Sequence, residues 1–313
     1  MHVLTRVEPE AVEQLVARDE FFWLDLLDPA DDELDRVGAL LDLHPLALED
    51  TKEFGQRPKV ERYGDAVLVV FYTARVDDDA TPELLEAHLH IAGGWLITVR
   101  RGACVQLDRL HEMLVPQDVA AEDYVVYQVL DALTDALYPV IDRLEDRIDA
   151  LEARVLARPD RHQLAEIYRI KQDVQTILRR MVTQRDQFAA ASEAIHQVPG
   201  LTQGSREYIR DIGDHLAQVT GEFHRQADDL TALTGTYFNA NTNKLNLTVT
   251  RLTLLATFFL IWTLVTSFFG QNFGWLVRHI STPQAFVGYG IGGLVIPTLV
   301  AAAYFWRRRR EWL

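Results

Sequence analysis

The sequence predicts an α+β soluble portion, then long stalk helices, then two membrane-spanning helices. Three observations carry that prediction. Short β-type runs lie between helical stretches up to about residue 115, heptad-like apolar spacing begins near Ala120, and two long uncharged stretches follow residue 251. The charges divide the chain near residue 240. Residues 1–240 hold 45 of the 46 Asp and Glu and 24 of the 31 Lys and Arg, a net of −21, whereas residues 241–313 net +6. A portion so acidic repels phosphate backbones, which argues against nucleic acid as a partner and makes cations the natural counter-species.

Residues 1–118 read as a cytoplasmic α/β domain. The runs HVLTRV, FFWLDLL, AVLVVFYTARV and HLHIAGGWLITVRR are its strands, in a mostly antiparallel or mixed sheet. Gly93-Gly94 is a hairpin signal and not a phosphate loop, since no G-x-x-x-x-G-K-[ST] follows. His44, His88, His90 and His111 are scattered, without Cys or carboxylate partners at metal-ligand spacing, and read as packing or surface residues. Cys104 is the single cysteine, so no intrachain disulfide forms and a reducing compartment suits it. The N-terminus lacks a basic region followed by an apolar run, which predicts no cleaved signal and a cytoplasmic place for the acidic part. No nucleophile, catalytic dyad or phosphate loop stands in a convincing context, so an enzyme is disfavoured and no covalent cofactor is expected.

Residues 119–200 read as an antiparallel helical hairpin. Leu130, Leu133, Leu137, Val140, Ile141, Leu144, Ile148, Leu151 and Val155 form the apolar stripe of its first helix. Arg158-Pro159-Asp160 breaks that helix and starts a second, which runs to about His196 and ends at Val198-Pro199-Gly200. From 205 to 270 no proline interrupts the helical pattern, so one helix about 100 Å long is expected at 1.5 Å per residue. Residues 201–251 are its cytoplasmic part. A stalk that enters the bilayer suggests an oligomer packed around an axis.

Residues 252–270 are nineteen residues without a charge, long enough to span the hydrocarbon core. A second span is expected over 285–306, within an uncharged stretch from Pro283 to Trp306, and the basic tail 307–313 follows it. Lys244 and Arg251 precede the first span and four arginines follow the second, while the 271–284 loop holds only Arg278 and His279. The positive-inside rule puts both termini in the cytoplasm of a multi-pass inner-membrane protein whose lipid partner is the bilayer. A buried core hairpin in a soluble protein is the alternative.

Asn246, Val249, Thr253, Leu260, Thr263 and Ser267, with Thr257 close by, fall on one broad helical face that could line a pore. Ser and Thr in spanning helices also commonly bond their own backbone or glue neighbouring helices. Asn246 and Asn272 weigh more, because an amide oxygen at each end of a channel binds a hydrated divalent ion without an immobilising charge.

The run Asn243-Lys244-Leu245-Asn246, then Thr253 to Thr257 (TLLAT), Gly270-Gln271-Asn272-Phe273, and Tyr304-Phe305 before a basic cluster resembles the CorA superfamily of magnesium, cobalt and zinc transporters. Upstream, His44-Pro45-Leu46, Glu49-Asp50, Gln56-Arg57-Pro58-Lys59-Val60-Glu61 and Val155-Leu156-Ala157-Arg158-Pro159 resemble the same family. The resemblance implies a funnel-shaped homopentamer that passes divalent cations, Mg2+ first, with Co2+ or Ni2+ behind. A Gly270-Gln271-Asn272 filter stands where magnesium members have Gly-Met-Asn and zinc members commonly Gly-Val-Asn. By position, Val249 and Leu252 match an apolar constriction, Leu260 a second narrow ring and Asn246 an amide ring. The resemblance also implies a regulatory cation between adjacent cytoplasmic domains: Asp211 and Asp214 match by spacing, with Asp77, Asp78 or Asp79 facing them from a neighbour. As residues, Asp77-Asp78-Asp79 also read as a solvated turn. Gln271 and a 274–284 loop without carboxylates depart from the magnesium pattern and favour a zinc importer as the alternative; Ile261 also stands where the family often has proline. A non-conducting membrane scaffold or sensor of the same fold is a third reading.

Overall fold

The computed structural model describes residues 2–77, 81–114, 122–201, 205–271 and 273–307, and its chain divides into two compact units. The first unit, residues 1–154 and 161–234, is built on a six-stranded sheet: β1 (His2–Leu4), β2 (Phe22–Leu27), β3 (Lys59–Tyr63), β4 (Ala66–Val76), β5 (Pro82–Ala92) and β6 (Trp95–Arg100). The order is β1-β2-β6-β5-β4-β3. β1, β2 and β6 are parallel and the rest antiparallel, so the sheet is mixed. Gly93 and Gly94 form the tight turn between β5 and β6, which pair Ala92 with Trp95.

Helices cover both faces, which is why β4 reads as an unbroken apolar run. Its residues alternate between faces: Val67, Val69 and Phe71 join one core, packed with Leu107, Val125, Val129, Phe188 and Ile212. The other face carries Phe22, Leu24 and Leu26 of β2 with Val12, Leu15, Leu34 and Val37. These come from α1 (Pro9–Ala17) and α2 (Asp31–Leu40); α3 (Pro45–Lys52), α4 (Val105–Leu114) and α5 (Glu122–Asp135) complete the shell. Beyond β3, the outer edge of β4 is finished by a side chain. Gln184 accepts from Tyr72 N–H at 2.5 Å and donates to Tyr72 C=O at 3.0 Å, satisfying two buried backbone groups.

The stripe from Leu130 to Val155 is buried throughout. It does not lie on one helix, however. α5 ends at Asp135 and α6 (Tyr138–Ala157) begins after a break, because Pro139 has no N–H to give Asp135 O and is tolerated only in the first turn of a helix, where it stands here. α7 (Arg161–His196) follows, and the turn after it presses on the β5–β6 hairpin so closely that a Cβ on Gly93 would meet Pro199 O at 2.0 Å.

α8 (Ser205–Phe269) is a single 65-residue helix. Its first part belongs to the sheet unit, where Ile209, Ile212, Leu216, Val219, Phe223 and Leu230 are buried. The second unit comprises residues 155–160 and 235–313 and holds the rest of α8, a short α9 (Gly274–His279) and α10 (Pro283–Arg307). The expected outward loop thus includes a helical turn and a half. α10 contains a π-helical segment at Phe286–Ile291 and a proline, Pro297, within its α-helical part.

Candidate ion pathway and metal site

α8 and α10 each contain an apolar window of spanning length with none of its residues buried, which a core helix of a soluble protein would not leave exposed. The two pack through small residues. A Cβ on Gly293 would meet Phe269 Cε2 at 3.2 Å and Val265 Cγ1 at 3.5 Å, so glycine sets the close approach. Trp262 Nε1 donates to Thr298 Oγ1 at 3.0 Å, and Phe258 meets Phe305 edge to face with ring centroids 6.4 Å apart. α10 therefore covers the α8 face that carries Phe258, Val265 and Phe269.

Asn246, Val249, Leu252, Thr253, Leu260, Thr263 and Ser267 all remain exposed on α8. At 100° per residue their mean direction lies well away from the α10 contact. Leu260 and Leu252 are 69% and 66% exposed and Val249 59%, large apolar side chains that water alone would not favour there. Thr253 Oγ1 donates to Val249 O and Thr263 Oγ1 to Phe259 O, at 2.9 and 2.7 Å. Those hydroxyls are back-bonded, so each keeps only acceptor lone pairs for anything outside the helix.

At the end of α8, Gly270 N–H bonds Thr266 O at 2.9 Å and Gln271 N–H reaches Phe268 O at 3.3 Å. A Cβ on Gly270 would sit 3.1 Å from Thr266 O, a tight fit for any larger residue. Gln271 is exposed, and Asn272 lies outside the described residues. In α9, Leu276 is buried, while Arg278 Nε bonds Gly274 O and His279 Nδ1 meets Trp275 O at 3.1 and 2.9 Å.

The sheet unit holds a second arrangement. Asp131 of α5 and Asp211 and His215 of α8 each place a ligand atom within 4.8 Å of the others. His215 Nδ1 lies 3.1 Å from Asp131 Oδ1 and its Nε2 3.9 Å from Asp211 Oδ2, which also accepts from Tyr127 O–H at 2.9 Å. Burial, and then the charge of Asp211, push the Asp131 carboxyl up against the opposing pull of His215. Burial and the neighbouring Asp131 push Asp135 up as well. Two carboxylates and an imidazole form a donor set suited to a divalent transition metal.

Asp211 and Asp214 are not brought together within the chain. Asp214 lines a groove with Arg185, Ser192 and Arg210, whereas Asp211 faces α5. Asp77 closes the β4–β5 turn, its Oδ1 accepting Thr81 N–H at 2.6 Å and its N–H bonding Thr81 O; Asp78 and Asp79 lie outside the described residues. Of the four histidines read as packing or surface residues, His88 and His90 are buried and His44 is exposed, and among the described residues none of the four joins a metal-ligating group, although two of them meet carboxylates in space. His88 Nε2 lies 2.7 Å from Glu86 Oε1, His111 Nε2 3.2 Å from Asp25 Oδ2, and His215 joins the acidic cluster. Glu86 and His88 sit two apart on one strand face, a spacing the sequence did offer; the other pairs join distant segments.

A family model described as "CorA-like Mg2+ transporter protein" matches residues 18–310. The chain belongs to the CorA-like Mg2+ transporter family. It is 25% identical over 289 residues to the cobalt/magnesium transport protein CorA of Thermotoga maritima, spanning 90% of this chain and 80% of that protein. It is also 27% identical over 264 residues to the zinc transport protein ZntB of Pectobacterium carotovorum, spanning 82% and 77%. Its fold is similar to that of the complete CorA magnesium transporter structure from Methanocaldococcus jannaschii, at a TM-score of 0.76 and 22% identity, covering 93% of this chain and 91% of that one. The α/β unit, the long helices and the paired apolar helices are thus the CorA fold.

Proposed function

We propose that this CorA-family chain conducts a divalent cation, Mg2+ first and Co2+ or Ni2+ behind, through a homopentamer in the inner membrane with both termini cytoplasmic. The observation that carries this reading is the division of labour around α8: α10 occupies one face, and the face running from Asn246 to Ser267 is left for neighbouring copies and an axial pore. Five such faces would surround a path with apolar rings at Val249, Leu252 and Leu260, an amide ring at Asn246 and a filter of Gly270, Gln271 and Asn272. Amide and hydroxyl oxygens hold a hydrated Mg2+ by its water shell, loosely enough for the ion to leave.

Cation binding at the soluble unit regulates the pore in this reading. Asp211, with His215 and Asp131 beside it, is the centre of that site, and Asp214 and the Asp77-Asp78-Asp79 turn of a neighbour are its expected intersubunit contributors.

A zinc importer is the second reading. Gln271 in the mouth, a 274–284 segment without carboxylates and the ZntB likeness favour it. Uptake into proteoliposomes under competition separates the two: Mg2+ flux that persists against micromolar Zn2+ supports the first, Zn2+ flux unaffected by millimolar Mg2+ the second. Absence of flux for Mg2+, Zn2+, Co2+ and Ni2+ from intact oligomers would leave a scaffold or sensor.

A further inference from the structure

Away from the acidic cluster, the sheet unit has a recess of about 500 Å3, within the size range of small-molecule sites. The α2–α3 turn forms one wall and the β3–β4 hairpin the other, with Trp95 at the side and His90 of β5 lining it. His44 and Tyr63 face each other across adjoining walls as a stacked pair, ring centroids 4.8 Å apart. Among the described residues no lysine or arginine lines the recess, but two carboxylates do, Asp42 and Asp65. Arg62 approaches Asp65 only to 3.9 Å, and Asp42 has no cationic partner among the described residues.

His90 supplies the feature that distinguishes this recess from a surface dent. It is 2% exposed. Thr51 Oγ1 donates its one proton to Ala47 O at 2.8 Å, so it accepts from His90 Nε2–H, also at 2.8 Å. The ring is therefore the Nε2–H tautomer, and Nδ1 is a lone-pair acceptor with no protein partner among the described residues. His90 lines the recess, so this acceptor stands at its wall. Burial keeps the ring neutral, its pKa pushed down to about 3, so the acceptor survives at physiological pH.

Aromatic walls, one carboxylate without a cationic partner, a second paired only loosely, no lining cation among the described residues and one buried acceptor define a ligand by exclusion. A phosphate or carboxylate ligand would meet two negative charges. A bare metal ion would find one neutral imidazole and widely exposed carboxylates. A flat organic cation satisfies every group: ring against aromatic faces, charge against carboxylate, hydrogen-bond donor against the lone pair. We propose that this recess binds an arylalkylammonium, its ammonium held by Asp42, its ring by Trp95 and the His44–Tyr63 pair, and a hydroxyl or N–H at its far end by His90 Nδ1. The site is a binding site for organic cations on the sheet unit and does not depend on the identity of the transported metal.

Calorimetric titration of the full chain in detergent with tyramine tests it, against 3-(4-hydroxyphenyl)propionate as the charge-inverted probe. Asp42→Asn is the informative variant, because asparagine tolerates the left-handed backbone at that position, where φ is 51°. Ala66→Leu fills the recess from its rim, and retention of the wild-type melting temperature verifies the fold of each. Saturable binding of one tyramine per chain, weakened at least tenfold by either substitution and by the charge inversion, is the expected result. No saturable heat, or a heat equal in wild type and both variants, as partition into detergent would give, overturns the proposal.

Discussion

Trp262 on α8 donates its indole N–H to Thr298 Oγ1 on α10 at 3.0 Å, and Thr298 passes its own proton to Leu294 O at 2.6 Å. The threonine is thus an acceptor toward its partner helix, and the bond fixes which face of α8 is turned to α10. Thr298→Val keeps the shape and removes the acceptor. A loss of roughly 0.6–1 kcal/mol is expected, since bonds between spanning helices are individually modest, and thermal unfolding of the detergent-solubilised protein would register it. Unchanged stability would mean that close packing around Gly293 alone sets the pairing.

Among the described glycines of the sheet unit, Gly93 is the one least able to accept a side chain. The Cβ of Gly93→Ala would fall 2.0 Å from Pro199 O, a backbone atom that cannot swing aside. Separation of the β5–β6 turn from the end of α7 should cost about 1–3 kcal/mol, as overpacking does, visible as a lower midpoint in chemical denaturation. Gly94→Ala is the control, with nothing within 4 Å of its added Cβ.

His90 makes stability depend on pH in a definite direction. Burial holds its folded pKa near about 3, against roughly 6.5 in an unfolded chain. Between those values the unfolded state binds a proton that the folded state refuses, so acidification favours unfolding. The contribution is present in full above about pH 6.5 and declines on acidification by at most ~1.4 kcal/mol per pH unit until about pH 3. His90→Gln, which can still donate to Thr51, should flatten the decline between about pH 6.5 and 5 in urea unfolding; an unaltered slope would assign it to other groups.

Asp211 and Asp214 separate two ways of holding a regulatory cation. If the ion sits among Asp131, Asp211 and His215, Asp211→Asn should weaken protection of the stalk from limited proteolysis by Zn2+ or Mg2+, raising the protective concentration at least tenfold. Asp214→Asn, on a different face, should then leave protection close to wild type. Equal loss in both variants would instead favour a site completed by a neighbouring copy.

Much of this architecture was legible in the residues. The period-two and unbroken apolar runs marked strands, the stripe from Leu130 to Val155 marked a buried helical face, and Val198-Pro199-Gly200 marked the end of α7. Where reading failed, the reason was physical. The apolar stripe continues smoothly across Pro139, so periodicity concealed the break between α5 and α6. His215 meets Asp131 across 84 residues, and Gln184 meets Tyr72 across 112, separations that no local pattern encodes. The exposed α8 face from Asn246 to Ser267 stood out because polar residues are conspicuous in an apolar span, whereas the recess around His90 depends on a tautomer set by Thr51.

The most direct test of the central claim is Mg2+ uptake into proteoliposomes by the wild-type protein and by Asn272→Ala, with oligomeric state verified by native mass spectrometry. Conduction through a filter at residues 270–272 predicts Mg2+ uptake by wild type and its loss in an Asn272→Ala oligomer of unchanged size. Undiminished uptake by that variant would contradict the account, since the ion would then cross without the amide ring assigned to select it.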